Sequence, residues 1–380
     1  MQLKSMKYSQ YKGKPQEWRL EGFTPGAINL IVGRNGTGKT RTLNVIGGLG
    51  KLLAGETPLF KTGHYEVSFD KAGKNIEYTL HYEDMKVLEE RLVVAGKQVL
   101  DRGAGGQGKI YAEKIRKGEN IDFQAPENQL ACVTRRDSLQ HPYFEDLYEW
   151  GKNLRQYLFG EKLGKDFYEV FKKGQPEADL DLKDTNKVVA IFHKGKKGYD
   201  ERFLEGIKSD MGRIGFEIED IDVGSPISFT FRGLAEEPGC IVLKEKDLVA
   251  HTDQLELSQG MFRALSLIIQ LNYSQLASIP SCILIDDIGE GLDYERSSSL
   301  IKLLIEKAKT SAVQLVMSTN DRFVMNNVPL EYWCLMRRVS NVSKVYNYRN
   351  AKKQFEDFEL TGLSNFDFFT SGAFEEQKPT

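Results

Sequence analysis

Eight consecutive residues, Gly33-Arg34-Asn35-Gly36-Thr37-Gly38-Lys39-Thr40, carry the clearest chemistry in the chain. They fit G-x-x-x-x-G-K-[ST], a loop whose backbone N–H groups cradle the phosphates of a nucleoside triphosphate. Glycines let the backbone approach phosphate oxygens and take turns that a side chain forbids. A helix after the loop adds the positive end of its dipole. Lys39 is then a point charge for the β and γ phosphates, and the Thr40 hydroxyl a ligand for Mg²⁺. With Arg41, which follows directly, the candidate nucleotide contacts run from Gly33 to Arg41.

Further along, a second set of residues suits the same chemistry. Leu257-Ser258-Gln259-Gly260 precedes an apolar stretch from Met261 to Leu276. Ser258 is a good helix N-cap, and Gly260 allows close approach of a phosphate. Cys282-Ile283-Leu284-Ile285-Asp286-Asp287 reads as a buried strand that ends in two carboxylates. A carboxylate at a strand end beside such a loop is what Mg²⁺ and phosphate chemistry needs, with Asp286 as the candidate ligand. Gly291-Leu292-Asp293 follows, then an amphipathic helix from Tyr294 to Ala308. The next buried strand, Val313 to Met317, ends in Ser318-Thr319-Asn320-Asp321.

The elements that must hold these groups can be read from periodicity. Ala27 to Val32 is an apolar run that reads as a buried strand. Thr40 to Leu53 carries Leu43, Val45, Ile46, Leu49 and Leu52 near helical spacing. That context disfavours the alternative, a plain glycine turn with an exposed lysine. Leu3 to Tyr8, Glu17 to Leu20, His64 to Phe69, Asn75 to Tyr82 and Val87 to Val94 read as strands, with hairpin turns at Ala72-Gly73 and Ala95-Gly96. The segment 103–108 reads as a flexible glycine loop. From about Glu127 the pattern turns helical. Pro142 to Phe159 and Tyr199 to Ile214 predict helices, and Lys172 to Lys183 a polar surface loop. Ile227 to Phe231 and Cys240 to Lys244 predict strands. Arg337 to Lys353 predicts a hairpin turning at Ser340-Asn341. The aromatic stretch Leu363 to Phe369 must dock on the core or on a partner. Arg135-Arg136 and 194–197 read as solvated charge, and Arg263 as a phosphate or DNA contact or a helix-surface ion pair.

Composition bounds the rest. The chain has 380 residues, 40% hydrophobic and 28% charged, with a net charge of −2. That is globular composition without a global pull towards nucleic acid. Cys132, Cys240, Cys282 and Cys334 form no C-x-x-C pair, and the five histidines are scattered. Reduced, buried thiols are expected, not zinc or a disulfide framework. No apolar run approaches 18 residues and the start lacks a signal-peptide pattern, so the expectation is a soluble, cytoplasmic protein without membrane contact.

The order glycine loop, L-S-Q-G, strand-D-D, G-L-D, strand-S-T-N resembles the ABC-type AAA ATPase heads. Among these it is similar to RecF, SMC-type heads and the ATPase part of OLD-family nucleases, with the stand-alone bacterial group of ABC-like AAA ATPases nearest. The resemblance is carried by motifs over residues 1–50 and 250–325. It implies an α/β P-loop NTPase with a two-lobe head: a mixed β-sheet, a β-rich lobe and a helical insertion. The expected division is 1–125, 126–250, 251–345 and a tail, 346–380. It also implies ATP and Mg²⁺ as ligands, with Lys39 and Thr40 on phosphate and metal and Asp286 on the metal. Asp287 stands where most such ATPases have a catalytic Glu, one methylene longer; Glu290 is the fallback base. Ser258, Gln259 and Gly260 would serve as the signature that touches nucleotide held by a second subunit. Asp293 would cross the dimer interface, and Asn320 would replace the switch His of transporter ATPases. Asn320 can hydrogen-bond a phosphate but cannot titrate. Gln129 is a candidate for the Q-loop.

The function implied is an ATP-hydrolysing switch that forms a homodimer, or a higher oligomer, around ATP. The resemblance favours control of a separate effector protein, a nuclease or toxin, in bacterial anti-phage defence. A RecF-like DNA-repair ATPase and a low-turnover nucleotide-binding scaffold are the alternatives. A transport ATPase subunit fits poorly, because residues 41–256 separate the glycine loop from the signature and Asn320 replaces the His.

Overall fold

The structure is a computed structural model, and it describes residues 1–114, 118–171, 180–230, 238–279, 282–371 and 374. The chain opens with strands β1 (Gln2–Gln10), β2 (Trp18–Phe23) and β3 (Ile28–Val32) and helix α1 (Lys39–Leu53). A meander follows: β4 (Thr62–Lys71), β5 (Lys74–Glu83), β6 (Lys86–Val94), β7 (Lys97–Gly103), β8 (Gln107–Ala112) and β9 (Glu119–Gln124). Next come α2 (Ala131–Thr134), α3 (Tyr143–Lys152), β10 (Arg155–Leu158) and α4 (Val188–Arg213). Strands β11 (Ile218–Gly224), β12 (Cys240–Glu245) and β13 (Thr252–Asp253) lead into α5 (Gln259–Leu276). The last part is β14 (Cys282–Asp286), α6 (Tyr294–Lys309), β15 (Gln314–Thr319), α7 (Arg322–Asn327), β16 (Trp333–Val339), β17 (Val342–Tyr346), α8 (Lys352–Glu359) and α9 (Asn365–Thr370).

Among the described residues, fourteen strands form one sheet in the order β10-β14-β15-β3-β16-β17-β2-β1-β4-β5-β6-β7-β8-β9. The half from β10 to β16 is parallel, and the half from β2 to β9 is antiparallel. Strand β3 lies inside the parallel half, and all five of its residues are buried. Its side chains alternate between faces, as a strand dictates. Ile28, Leu30 and Val32 enter a core shared with α4, α5 and α6, while Ile31 enters a second core with α1, α3 and the meander. Register places Leu158 opposite Asp286, Ile285 opposite Met317, and Thr319 opposite Val32. The carboxyl ends of β10, β14, β15 and β3 therefore form one edge, the usual place for a ligand in an open α/β sheet.

Several expectations are corrected. The helix predicted over 142–159 stops at Lys152, and Arg155–Leu158 pairs with β14 as an edge strand. Leu154 and Leu158 continue the helical spacing of Leu147 and Trp150, but over four residues an apolar pattern suits either period. The segment 103–108 is no flexible loop: a short 3-10 turn at Ala104–Gly106 passes into β8, where Gly108 pairs with Phe123. Residues 227–230 form no strand; the strand lies earlier, at β11, and residue 231 is outside the described residues. Of the loop expected over 172–183, residues 172–179 also lie outside them. Lys183, within it, is fastened to both Glu56 carboxylate oxygens at 2.7 Å and to Gly151 O at 2.8 Å.

The helix expected to start at Tyr199 starts at Val188 and reverses at Asp200, whose φ of 45° and ψ of −128° are not helical. Phe192 and Phe203 meet at 5.7 Å between ring centroids. Eleven residues of straight helix would separate them by about 16 Å along the axis. α4 is thus a two-limbed αα-hairpin. The aromatic tail docks on its own core: Phe368 is fully buried against Trp333, Phe355 and Phe358.

Candidate functional site

The glycine loop joins the end of β3 to the start of α1. A Cβ on Gly33 would stand 2.6 Å from Thr37 Oγ1 and 2.8 Å from Met336 O, so only glycine fits there. Gly38 has φ of 107°, a region that side chains disfavour, and starts the helix. The loop is held from inside and from below. Thr37 Oγ1 donates to Arg34 O at 2.8 Å, Thr42 Oγ1 to Gly38 O at 2.9 Å, and Ser343 Oγ to Thr37 O at 2.6 Å. Arg338 Nη1 donates to Gly36 O at 3.2 Å. Arg34, Asn35, Gly36 and Thr40 face solvent.

Lys39 is buried and donates to Gly33 O at 2.8 Å and to Arg34 O at 3.5 Å. Burial pushes its ammonium below the ordinary value, while Asp287 and then Asp286 pull it back up. A cation folded onto carbonyls inside a glycine cradle, close to two carboxylates, is a donor set that fits a triphosphate and its Mg²⁺.

Asp286 is the last residue of β14 and is buried. Ser318 Oγ, at the end of β15, donates to Asp286 Oδ1 and accepts the Asp287 backbone N–H at 3.1 Å. Asp287 has φ of 52°, unusual for a residue with a side chain. Ile288 N donates to Ser318 O at 2.9 Å and Glu290 N to Asp287 O at 3.2 Å, and these bonds hold the turn. Asn320 Nδ2 donates to Asp287 Oδ1 at 3.1 Å. Burial, then Asp286 and Glu290, push the Asp287 carboxyl above its usual range, against the pull of Lys39 and Asn320. Glu290 comes close from the other side: a Cβ on Gly160 would lie 2.9 Å from Glu290 Oε2 and 3.8 Å from Asp287 Cβ. The structure thus gathers Lys39, Asp286, Asp287, Glu290 and Asn320 at one sheet edge.

The Ser258–Gly260 segment meets this group through packing beside Glu290, not through side-chain hydrogen bonds of its own. Ser258 caps α5, accepting from Met261 N at 3.2 Å, and among the described residues the hydrogen bonds of Ser258, Gln259 and Gly260 stay within that helix. Gly260 packs on Gly291 and Leu292, where a Cβ would overlap the Gly291 carbonyl. Asp293 caps α6 through Arg296 N at 3.0 Å and pairs with Arg296 at 2.6 Å. Arg263 takes neither role expected of it. Its Nε donates to Glu161 O at 2.8 Å, Nη1 to Glu290 O at 3.0 Å and Nη2 to Gly160 O, which staples α5 to the loops beside Asp287. Gln129 is exposed near Leu52 and Gly55, at the far end of α1. That helix has 15 residues, so Gln129 sits about 20 Å along it from the glycine loop.

The remaining clusters are structural. Arg136 pairs with Glu145 at 3.4 Å and lies 3.5 Å over the Tyr148 ring. Lys196, in the 194–197 group, pairs with Asp222 at 2.7 Å. Sequence reasoning quoted Ser318 in the strand-S-T-N pattern without its role, and missed Gly160, Trp18, Ser343 and the role of Arg338. Their partners lie far away in the chain, so no local pattern reveals these roles.

Loop, paired acids and capped signature on this sheet define the ABC-type ATPase head as a fold class. No family model matches the chain, and no curated protein matches it. Among solved structures it is similar to an SMC head bound to the C-winged helix domain of ScpA, at 14% identity and a TM-score of 0.52, over 93% of this chain and 100% of that one. It is also similar to the SMC head domain from Thermotoga maritima (16% identity, TM-score 0.45, 91% and 99% covered). A third is the Smc head domain with an extended coiled coil bound to the C-terminal domain of ScpA, derived from Pyrococcus furiosus (12%, 0.48, 94% and 99%). The first of these likenesses gives the chain the fold of an SMC head, an ABC-type head.

Proposed function

We propose that this chain binds ATP with Mg²⁺ at the Gly33–Arg41 loop and hydrolyses it as part of a dimerisation cycle. The observation that carries the proposal is the division of the site. Lys39, Asp286, Asp287 and Asn320 meet at one sheet edge, whereas among the described residues Ser258, Gln259 and Gly260 make their hydrogen bonds within α5 and its cap. A second copy that offers its signature to this edge completes the site, so ATP joins two heads and hydrolysis releases them. Bound Mg²⁺ would supply charge neutralisation on the phosphates, held by Thr40 and Asp286. Lys39 binds the phosphates, Asp287 orients the attacking water, and Asn320 fixes Asp287 through its 3.1 Å hydrogen bond.

The resemblance to stand-alone bacterial heads supports a finer reading, in which the cycle controls a separate effector, a nuclease or toxin, in anti-phage defence. The SMC heads solved with ScpA domains are neighbours that bind a partner protein, which is in keeping with that reading. A cytoplasmic setting is also part of the proposal; among the described residues no helix is long and apolar enough to cross a membrane.

The test compares wild type, Lys39→Ala and Asp287→Asn. Wild type should hydrolyse ATP with Mg²⁺, and Lys39→Ala should neither bind nor hydrolyse it. Asp287→Asn should bind ATP and elute as a dimer during gel filtration in ATP. An Asp287→Asn protein that binds ATP yet stays monomeric would sink the composite-site reading. Hydrolysis unaffected by Lys39→Ala would sink the assignment of the loop.

A further inference from the structure

We infer that Arg41, held over the Trp18 ring, is the platform on which the base of the bound nucleotide stacks. The inference rests on the nucleotide reading of the glycine loop and adds the end of the ligand that the loop does not hold.

The site has a direction. Asp286, which ends β14, and Asp287, which follows it, act on the Lys39 charge from one side of β3. A γ-phosphate belongs at that end, beside the acids that serve metal and water. β2 and β1 lie on the other side of β3, beyond β16 and β17. Arg41, in the first turn of α1, reaches towards them. Its Cζ sits 4.2 Å above the Trp18 ring centroid, and its Nη2 donates to Gln10 Oε1 at 2.7 Å. A triphosphate with its γ end at Asp286 has its nucleoside at Arg41.

The platform is built into the loop itself. Trp18 Nε1 donates to Ser343 Oγ at 3.0 Å, and Ser343 Oγ donates to Thr37 O at 2.6 Å. A Cβ on Gly38 would stand 3.2 Å from Trp18 Cζ2. Trp18 is only 1% exposed, so its ring cannot take a base directly. Arg41 is half-buried and is the planar group above that ring. A guanidinium stacks on π faces, while an ammonium of equal charge has no plane to offer. Held over Trp18 and by Gln10, the Arg41 guanidinium is fixed in place, half-buried, where a base can stack on it.

The experiment measures binding of ATP and of inorganic tripolyphosphate to the full chain by calorimetry, in Mg²⁺, for wild type, Arg41→Lys and Arg41→Ala. Thermal melts establish that each variant is folded. Arg41→Lys keeps the charge and removes the plane. It should weaken ATP about tenfold and tripolyphosphate less than about twofold, given the usual size of a base stack. Arg41→Ala should weaken ATP at least as much. Arg41→Lys that binds ATP like wild type overturns the platform, as does an equal loss for both ligands. If wild type binds neither ligand, the loop assignment fails and the platform with it. If it binds tripolyphosphate and only the stacking pattern is missing, the loop assignment stands alone.

Discussion

Ser318→Ala is the sharpest test of how the acidic pair is held. The hydroxyl serves two consecutive residues: it donates to the Asp286 carboxylate and accepts the Asp287 amide at 3.1 Å. Ser318 is fully buried and Asp286 nearly so, which leaves little room for water to substitute. A hydrogen bond to a charged group contributes about 1.5–3 kcal/mol and an ordinary one about 1 kcal/mol. If the two losses are partly additive, the variant should be about 2–4 kcal/mol less stable than wild type. Urea unfolding reads this directly as a lower midpoint at unchanged slope. The site should suffer separately, because Asp286 loses the contact that sets its carboxylate and the left-handed turn at Asp287 loses an anchor. The Mg²⁺ concentration for half-maximal ATP hydrolysis should rise about tenfold, the equivalent of about 1.4 kcal/mol. A variant within about 0.5 kcal/mol of wild type, the range of an ordinary surface change, with an unmoved Mg²⁺ requirement would refute the argument.

Three other outcomes follow from particular contacts. Gly260→Ala forces a Cβ into the Gly291 carbonyl, on a turn where Gly291 has φ of 82°; thermal melts should show a loss of about 1–3 kcal/mol, and ATP-dependent dimerisation should fall. Arg102→Met leaves Glu90 buried without its ion pair, a partner at 3.3 Å with both side chains at 0% exposure; urea unfolding should register a loss of about 3–5 kcal/mol. Asp253→Asn should flatten the acid limb of stability. Burial alone would raise the Asp253 carboxyl, but the Ser228 amide and hydroxyl and the Ile227 and Leu255 amides outweigh it and lower the pKa. Its contribution is complete above the unfolded carboxylate value of about 3.9 and is lost as pH falls through the lower folded value. The stability gap between wild type and variant should therefore hold from pH 7 to about 5 and close below about 4; a gap independent of pH would contradict this.

Local elements were readable where chemistry and periodicity agree within a few residues. Gly33–Thr40 has its flanking strand and helix, β14 ends in its acids, and the Ser258 cap is present. Reading failed where a partner far along the chain decides. β10 is a strand because β14 supplies its hydrogen bonds across 128 positions, Arg155 to Ile283. Gln129 has the residue type of a Q-loop, but Arg102 ties Pro126 O and Gln129 O to the β-rich half of the sheet, away from the loop. The reversal in α4 passed unseen because Gly195, Gly198 and Asp200 interrupt a pattern that otherwise stays helical.

The sequence by itself determined the site's parts: a glycine loop with Lys39 and Thr40, a strand ending in Asp286 and Asp287, and a capped helix start at Ser258. Each depends on neighbours a few bonds away, so composition and spacing suffice to name it. Tertiary structure alone decided how the parts stand to one another. Parallel pairing set Asp286, Ser318 and the loop on one edge, Arg263 joined α5 to the loops beside Asp287, and Trp18 came to rest beneath Arg41. Those contacts span from 23 to 287 positions along the chain. They form when the sheet closes and buries its two faces, and no short stretch of sequence encodes that event.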